Sequence, residues 1–129
     1  MKITPKNPLT VAFALLVLNL PMVAAHAHAE HGQPQFGGVV AEAGLAQFEV
    51  VAKDGKVVVH VTNHGAAVDT AGAKGKLTVL AGTAKSEIVL TPAGGNRLEG
   101  SGNVAGGAKL LISVELPNQK PLQARAVVR

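Results

Sequence analysis

From Phe36 onward the chain is a succession of short apolar runs, rich in Val and Leu and separated by Gly, Pro, Asn and Asp. Val39-Val40 opens the series. Leu45 to Ala52, Val57 to Asn63, Lys76 to Ala81, Ser86 to Thr91, Arg97 to Glu99, Lys109 to Leu116 and Leu122 to Val128 follow. None sustains a helical apolar period over about ten residues, so each predicts a strand. Asp54-Gly55 stands between two of these runs, the strongest hairpin signal in the chain, because a type I′ turn needs positive φ at both central positions. Seven to eight short strands at this spacing predict an all-β domain, an immunoglobulin-like antiparallel β-sandwich with a small β-barrel as its rival. Within Val57 to Asn63, strand alternation turns Val57, Val59 and Val61 toward the core and Val58, His60 and Thr62 outward.

The first residues follow a different pattern. Lys2 and Lys6 precede an apolar run from Leu9 to Leu20, broken at Asn19 and followed by Pro21 and small residues through Ala29. A run of this length suits the core of a secretory signal, about 7 to 15 residues, and is short of the ~20 that span a bilayer. Cleavage is chemically open after Ala25, Ala27 or Ala29. The expected organisation is a cleavable signal over 1–27, a flexible histidine-containing tail over 28–35 and the β domain over 36–129. No membrane insertion is expected after cleavage.

Composition changes once the signal is set aside. Of twelve Lys and Arg, two lie in the signal, leaving ten against eight Asp and Glu. These cations are scattered singly, and the remaining aromatics are Phe36 and Phe48, so nucleic-acid binding through a basic stripe with stacking rings is not expected. The absence of Cys removes disulfides, thiolate metal sites and Cys nucleophiles.

The histidines carry the candidate chemistry. His26, His28 and His31 crowd one short segment with Glu30, and imidazole nitrogens are natural ligands for copper, nickel or zinc. Cleavage after Ala25 would make His28 the third residue, able to join a free amine and two deprotonated amides around Cu(II) or Ni(II). Cleavage after Ala27 would make His28 first and His31 fourth, a looser chelate. His60 and His64 form a second candidate. On a continuous strand their alpha carbons would lie ~13 Å apart, at ~3.3 Å per residue. Nitrogens on one ion lie at most ~4 Å apart, so a shared site requires Asn63-His64-Gly65 to turn back, with Asp69 as a third donor. The competing reading of both groups is an incidental polar tail and a strand-end histidine.

Catalysis finds no such support. Ser86, Ser101 and Ser113 lack a nucleophile-elbow pattern, the carboxylates stand singly where solvated faces are the default, and Gly94-Gly95-Asn96 lacks the Lys-Ser/Thr pair of a phosphate loop. The chain reads as non-enzymatic with no required cofactor.

Several phrases carry a resemblance. They include Gly37-Gly38-Val39-Val40, Gln47-Phe48-Glu49-Val50-Val51-Ala52-Lys53-Asp54-Gly55, Val61-Thr62-Asn63-His64-Gly65, Val68-Asp69-Thr70-Ala71-Gly72-Ala73, Gly75-Lys76-Leu77-Thr78-Val79-Leu80 and Leu90 through Glu99. Over Gly37 to about Glu99 the chain resembles small periplasmic proteins found alongside heavy-metal efflux systems, and related domains of their membrane-fusion adaptors. In that family a His often precedes the double Gly, where this chain has Phe36. The resemblance implies a periplasmic accessory of metal resistance that works with components of a metal efflux complex. The alternative is a structural or protein-interaction module with no metal role.

Overall fold

The computed structural model describes residues 2–3 and 32–129. The apolar run from Leu9 to Leu20 and the histidines His26, His28 and His31 lie outside the described residues.

Alternation in the Val-rich runs builds the sheet. In β3 (Lys56–Asn63), Val57, Val59 and Val61 are fully buried while Val58, His60 and Thr62 face outward. The preceding strand β2 (Ala46–Lys53) lays Phe48 opposite Val61 and Val50 opposite Val59. Asp54 and Gly55 join the two strands with φ of 52° and 75°, as the Asp-Gly signal requires. A β-branched residue at Gly55 would resist that conformation.

β1 (Val39–Ala43) pairs with β2, and β7 (Arg97–Ser101) pairs with the other edge of β3. The two-residue β4 (Ala66–Ala67) takes over that edge at Thr62 and Asn63. The second half contains β5 (Lys74–Ala81), β6 (Ala84–Pro92), β8 (Lys109–Glu115) and β9 (Leu122–Val127). In it β5 sits between β6 and β8, with β9 outside β8. All pairs are antiparallel, in the order β1-β2-β3-β7-β6-β5-β8-β9.

The expected sandwich is corrected by the way these halves join. Eight antiparallel strands form a nearly closed barrel. A sandwich needs two separate sheets, but β6 belongs to both halves. Its residues through Leu90 pair with β5, and Thr91 and Pro92 then pair with Glu99 and Leu98 of β7. At this junction Gly100 allows the closest approach: a Cβ there would lie 2.4 Å from the Val89 carbonyl oxygen and 2.7 Å from an Ile88 methyl. On the opposite side β1 lies beside β9 without a ladder. A cleft of about 680 Å³ runs along that seam, lined by Gly37 to Val40, Ala126, Val127 and Arg129 among others.

One core fills the interior, from Phe48, Val59 and Leu98 on one half to Leu77, Leu90 and Ile112 on the other. Among the described residues, Val, Leu, Ile and Ala supply most of it, with Phe48 its one aromatic residue. Thr70, fully buried, ties the link between β4 and β5 to the start of β7. Its hydroxyl donates to the carbonyls of Gly95 and Arg97, at 3.2 and 2.8 Å.

Candidate functional site

Because Phe48 and Val50 point inward, Glu49 between them points out. Register then places Val40, Glu49, His60 and Arg97 side by side across β1, β2, β3 and β7. A carboxylate on such a face is ordinarily solvated, yet Glu49 is only 3% exposed. The chain leading into β1 covers it. Backbone N–H groups of Gln35, Phe36 and Gly38 all donate to the Glu49 carboxylate, the last two at 2.7 and 3.1 Å. Hydrogen bonds to an ionised acceptor are roughly twice as strong as neutral ones, and three of them offset the desolvation of this side chain.

The clamp sets the position of Phe36. Its ring lies on the imidazole of His60, with centroids 3.9 Å apart and planes 13° from parallel. Further upstream, the Gly32 N–H donates to the Gln47 side-chain carbonyl at 3.2 Å. Residues 32–35, expected within a flexible tail, are therefore hydrogen-bonded to the barrel at both ends.

Burial beneath this segment lowers the pKa of His60 below its ordinary value. The neighbouring Glu49 charge pulls it back up, and Arg97 pushes it further down. Arg97 is fixed from behind: its guanidinium donates to the Ala93 carbonyl at 3.0 Å, while Asn96 and Val61 exchange backbone and side-chain hydrogen bonds alongside it. His60 thus lies between opposite charges under an aromatic ring, where burial disfavours its protonated form.

The chain does reverse at His64. His64 and Gly65 have φ of 49° and 78°, and Asn63 pairs with Ala66 across the turn. The expected site of His60, His64 and Asp69 nevertheless does not assemble. Among the described residues, no group of three or more His, Asp or Glu is placed to hold a metal ion. His60 lies in mid-strand under Phe36 and next to a fixed guanidinium, which repels a cation. Asp69 is exposed, and its carboxylate accepts the Ala71 N–H at 2.9 Å, closing a local turn. His28 and His31 lie outside the described residues.

Sequence reasoning placed His60 on the outer face and missed what covers it. Glu49 was grouped with solvated carboxylates, and Phe36 was read as the start of the domain and as a replacement for a family His, without a role as a cover. A usable signal was present: an acid flanked by two inward-facing apolar residues, with a Gly-Gly and an aromatic residue upstream to cover it. Elsewhere, a cleft of about 270 Å³ opens at one barrel mouth, between Leu45, Val61, Val68, Leu116 and Leu122. Asn63 and Gln119 add polar groups to its lining, and it is smaller than the ~300 to 1,000 Å³ of ordinary small-molecule sites. Comparison with protein-family models, with curated proteins and with solved structures finds no match.

Proposed function

We propose that this chain is an exported, non-enzymatic accessory of transition-metal resistance, in which the barrel serves as a holder for the histidine-bearing segment that precedes it. The observation that supports this reading is the Glu49 clamp. A buried carboxylate is an expensive way to fix a chain segment, and here it fixes the one that leads directly from His26, His28 and His31 into β1. The metal is copper, nickel or zinc, taken by imidazole nitrogens of that segment and buffered in the periplasm beside a metal efflux complex. The sequence resemblance over Gly37 to Glu99 points the same way.

The test is a metal titration of the secreted protein, with its N-terminus fixed by mass spectrometry. Binding of Cu(II) or Ni(II) should weaken as pH falls below ~6.5, because imidazole must be neutral to coordinate. Replacing His28 and His31 with Ala should abolish binding without changing the melting temperature, whereas His64→Ala should leave binding intact. Absence of copper, nickel and zinc binding in calorimetry at micromolar protein would overturn the metal reading in favour of an interaction module.

A further inference from the structure

The cations that stand singly in sequence are gathered by the strand register. Residues 74–92 and 108–129, which form β5, β6, β8 and β9, hold seven Lys and Arg against Glu87 and Glu115. Residues 32–73 and 93–107, which form the other half, hold three against five acids. The barrel is electrically two-sided.

On the basic wall, Lys85 and Lys109 are the register partners of Leu80 on either side, and Val127 stands next to Lys109. One row along the strands lies Arg125, and a further row pairs Lys76 with Val89. Strands ~4.8 Å apart place Lys85 and Lys109 about 10 Å from each other, within about one Debye length of 0.1 M salt, so their fields add. The ion pair recorded on this wall joins Lys76 to Glu87 at 3.5 Å, with both side chains about half exposed. With Lys76 paired to Glu87, six cations remain on this half, and Lys85, Lys109 and Arg125 stand together in two adjoining rows of its outer face. Leu80 stands exposed between Lys85 and Lys109, and the two outer strands of the wall show further aliphatic side chains to solvent, Val89 at 70% and Val127 at 56% exposed.

This arrangement selects its partner. A small anion needs donors converging in a pocket. The hollow of about 370 Å³ between β5 and β8 offers Lys74 and Lys76, but Glu115 lines it and Glu87 pairs Lys76, while Lys85, Lys109 and Arg125 lie outside it. Single-stranded nucleic acid would look for rings to stack on, but Phe48 is in the core and Phe36 lies over His60 on the other half. A flat, fluid, negatively charged surface satisfies dispersed cations without matching their shape, and it accepts exposed aliphatic groups at its boundary. The acidic far half turns the basic wall toward such a plane.

We propose that the outer wall of β6-β5-β8-β9 docks the barrel on an anionic phospholipid bilayer, with Lys85, Lys109 and Arg125 as its electrostatic contacts and Val89 and Val127 at the lipid boundary. The proposal is independent of metal binding. Its test is co-sedimentation of the secreted, processed protein with vesicles of phosphatidylglycerol and phosphatidylethanolamine, and with phosphatidylcholine vesicles as the neutral control. Binding to the anionic vesicles alone is expected, with loss in high salt. Lys85, Lys109 and Arg125 all changed to Gln should weaken it roughly a hundredfold with an unchanged melting curve, since each Lys or Arg near an anionic surface contributes about fivefold. Val89→Gln with Val127→Gln should weaken it further. Equal binding to neutral vesicles, or an undiminished triple variant, would overturn the proposal. So would vesicle binding that ignores Val89 and Val127 and is displaced by soluble polyglutamate, which would assign the wall to an acidic protein. A salt-sensitive dimer in sedimentation velocity that vanishes in the triple variant would assign it to a second copy of the chain.

Discussion

Phe36 covers His60 by lying flat on its ring, and burial is the largest cause of the lowered pKa of that imidazole. Removing the cover has a defined consequence. In Phe36→Ala the His60 pKa should rise toward its ordinary value of ~6.5, because burial is the largest cause of its depression. An NMR titration of the imidazole protons reads this directly. An unchanged pKa would mean that the sheet, and not Phe36, withholds water from His60.

The same depression makes stability depend on pH. As pH drops through ~6.5 the unfolded chain takes up a proton at His60 that the folded barrel does not. The stabilisation is complete above that value and is lost progressively as pH approaches the lower folded pKa. Denaturant midpoints measured between about pH 8 and about pH 5 should fall toward acid, and His60→Phe should make the fall shallower. A parallel profile in that variant would show that other groups set the acid sensitivity.

Glu49→Gln keeps the shape of the clamp and removes its charge. One amide oxygen replaces two carboxylate oxygens, and the amide nitrogen is turned toward N–H donors. A cost of about 1 to 3 kcal/mol is expected in urea unfolding, the range for leaving buried partners unsatisfied. Amide exchange at Phe36 and Gly38 should accelerate more than at Val59 in the core. Uniform acceleration would instead indicate global destabilisation without release of the segment.

Gly100→Ala addresses the junction that makes this a barrel. The added methyl meets the Val89 carbonyl oxygen, a backbone atom with little room to yield. Overpacking of this kind costs about 1 to 3 kcal/mol. Loss of exchange protection should centre on Leu98 and Leu90 and spare the β2-β3 hairpin. A variant as stable as the parent would show that β6 and β7 can separate freely.

The strands were legible because each is a local pattern. Asp54-Gly55 fixed the β2-β3 register, and the alternation around Val59 gave the facing of His60 correctly. Closure was not legible. Sandwich and barrel use the same runs and turns, and differ here through Thr91 and Pro92 reaching Glu99 and Leu98, a pairing that no local period encodes. The two-residue β4 is too short to show any period at all. Glu49 escaped notice because its burial depends on residues eleven to fourteen positions upstream. The basic wall was hidden for the same kind of reason: Lys85 and Lys109 become neighbours only when β5 is set between their strands.

The seam between β1 and β9 brings together the first and last strands of the barrel, with Val39 and Val127 lining one cleft at the same rim. The strand order is therefore a ring cut at a single place, and the cut need not be there. A Gly-Ser bridge from Arg129 to Gly32, which line the same cleft, would span the seam and keep the Glu49 clamp, and new chain ends could open at the exposed Gly82-Thr83 hairpin between β5 and β6. Such a circular permutant should keep every strand neighbour of the parent. It would move the root of the N-terminal segment into mid-chain, so that the barrel could be studied, or refitted with another segment, without its histidines.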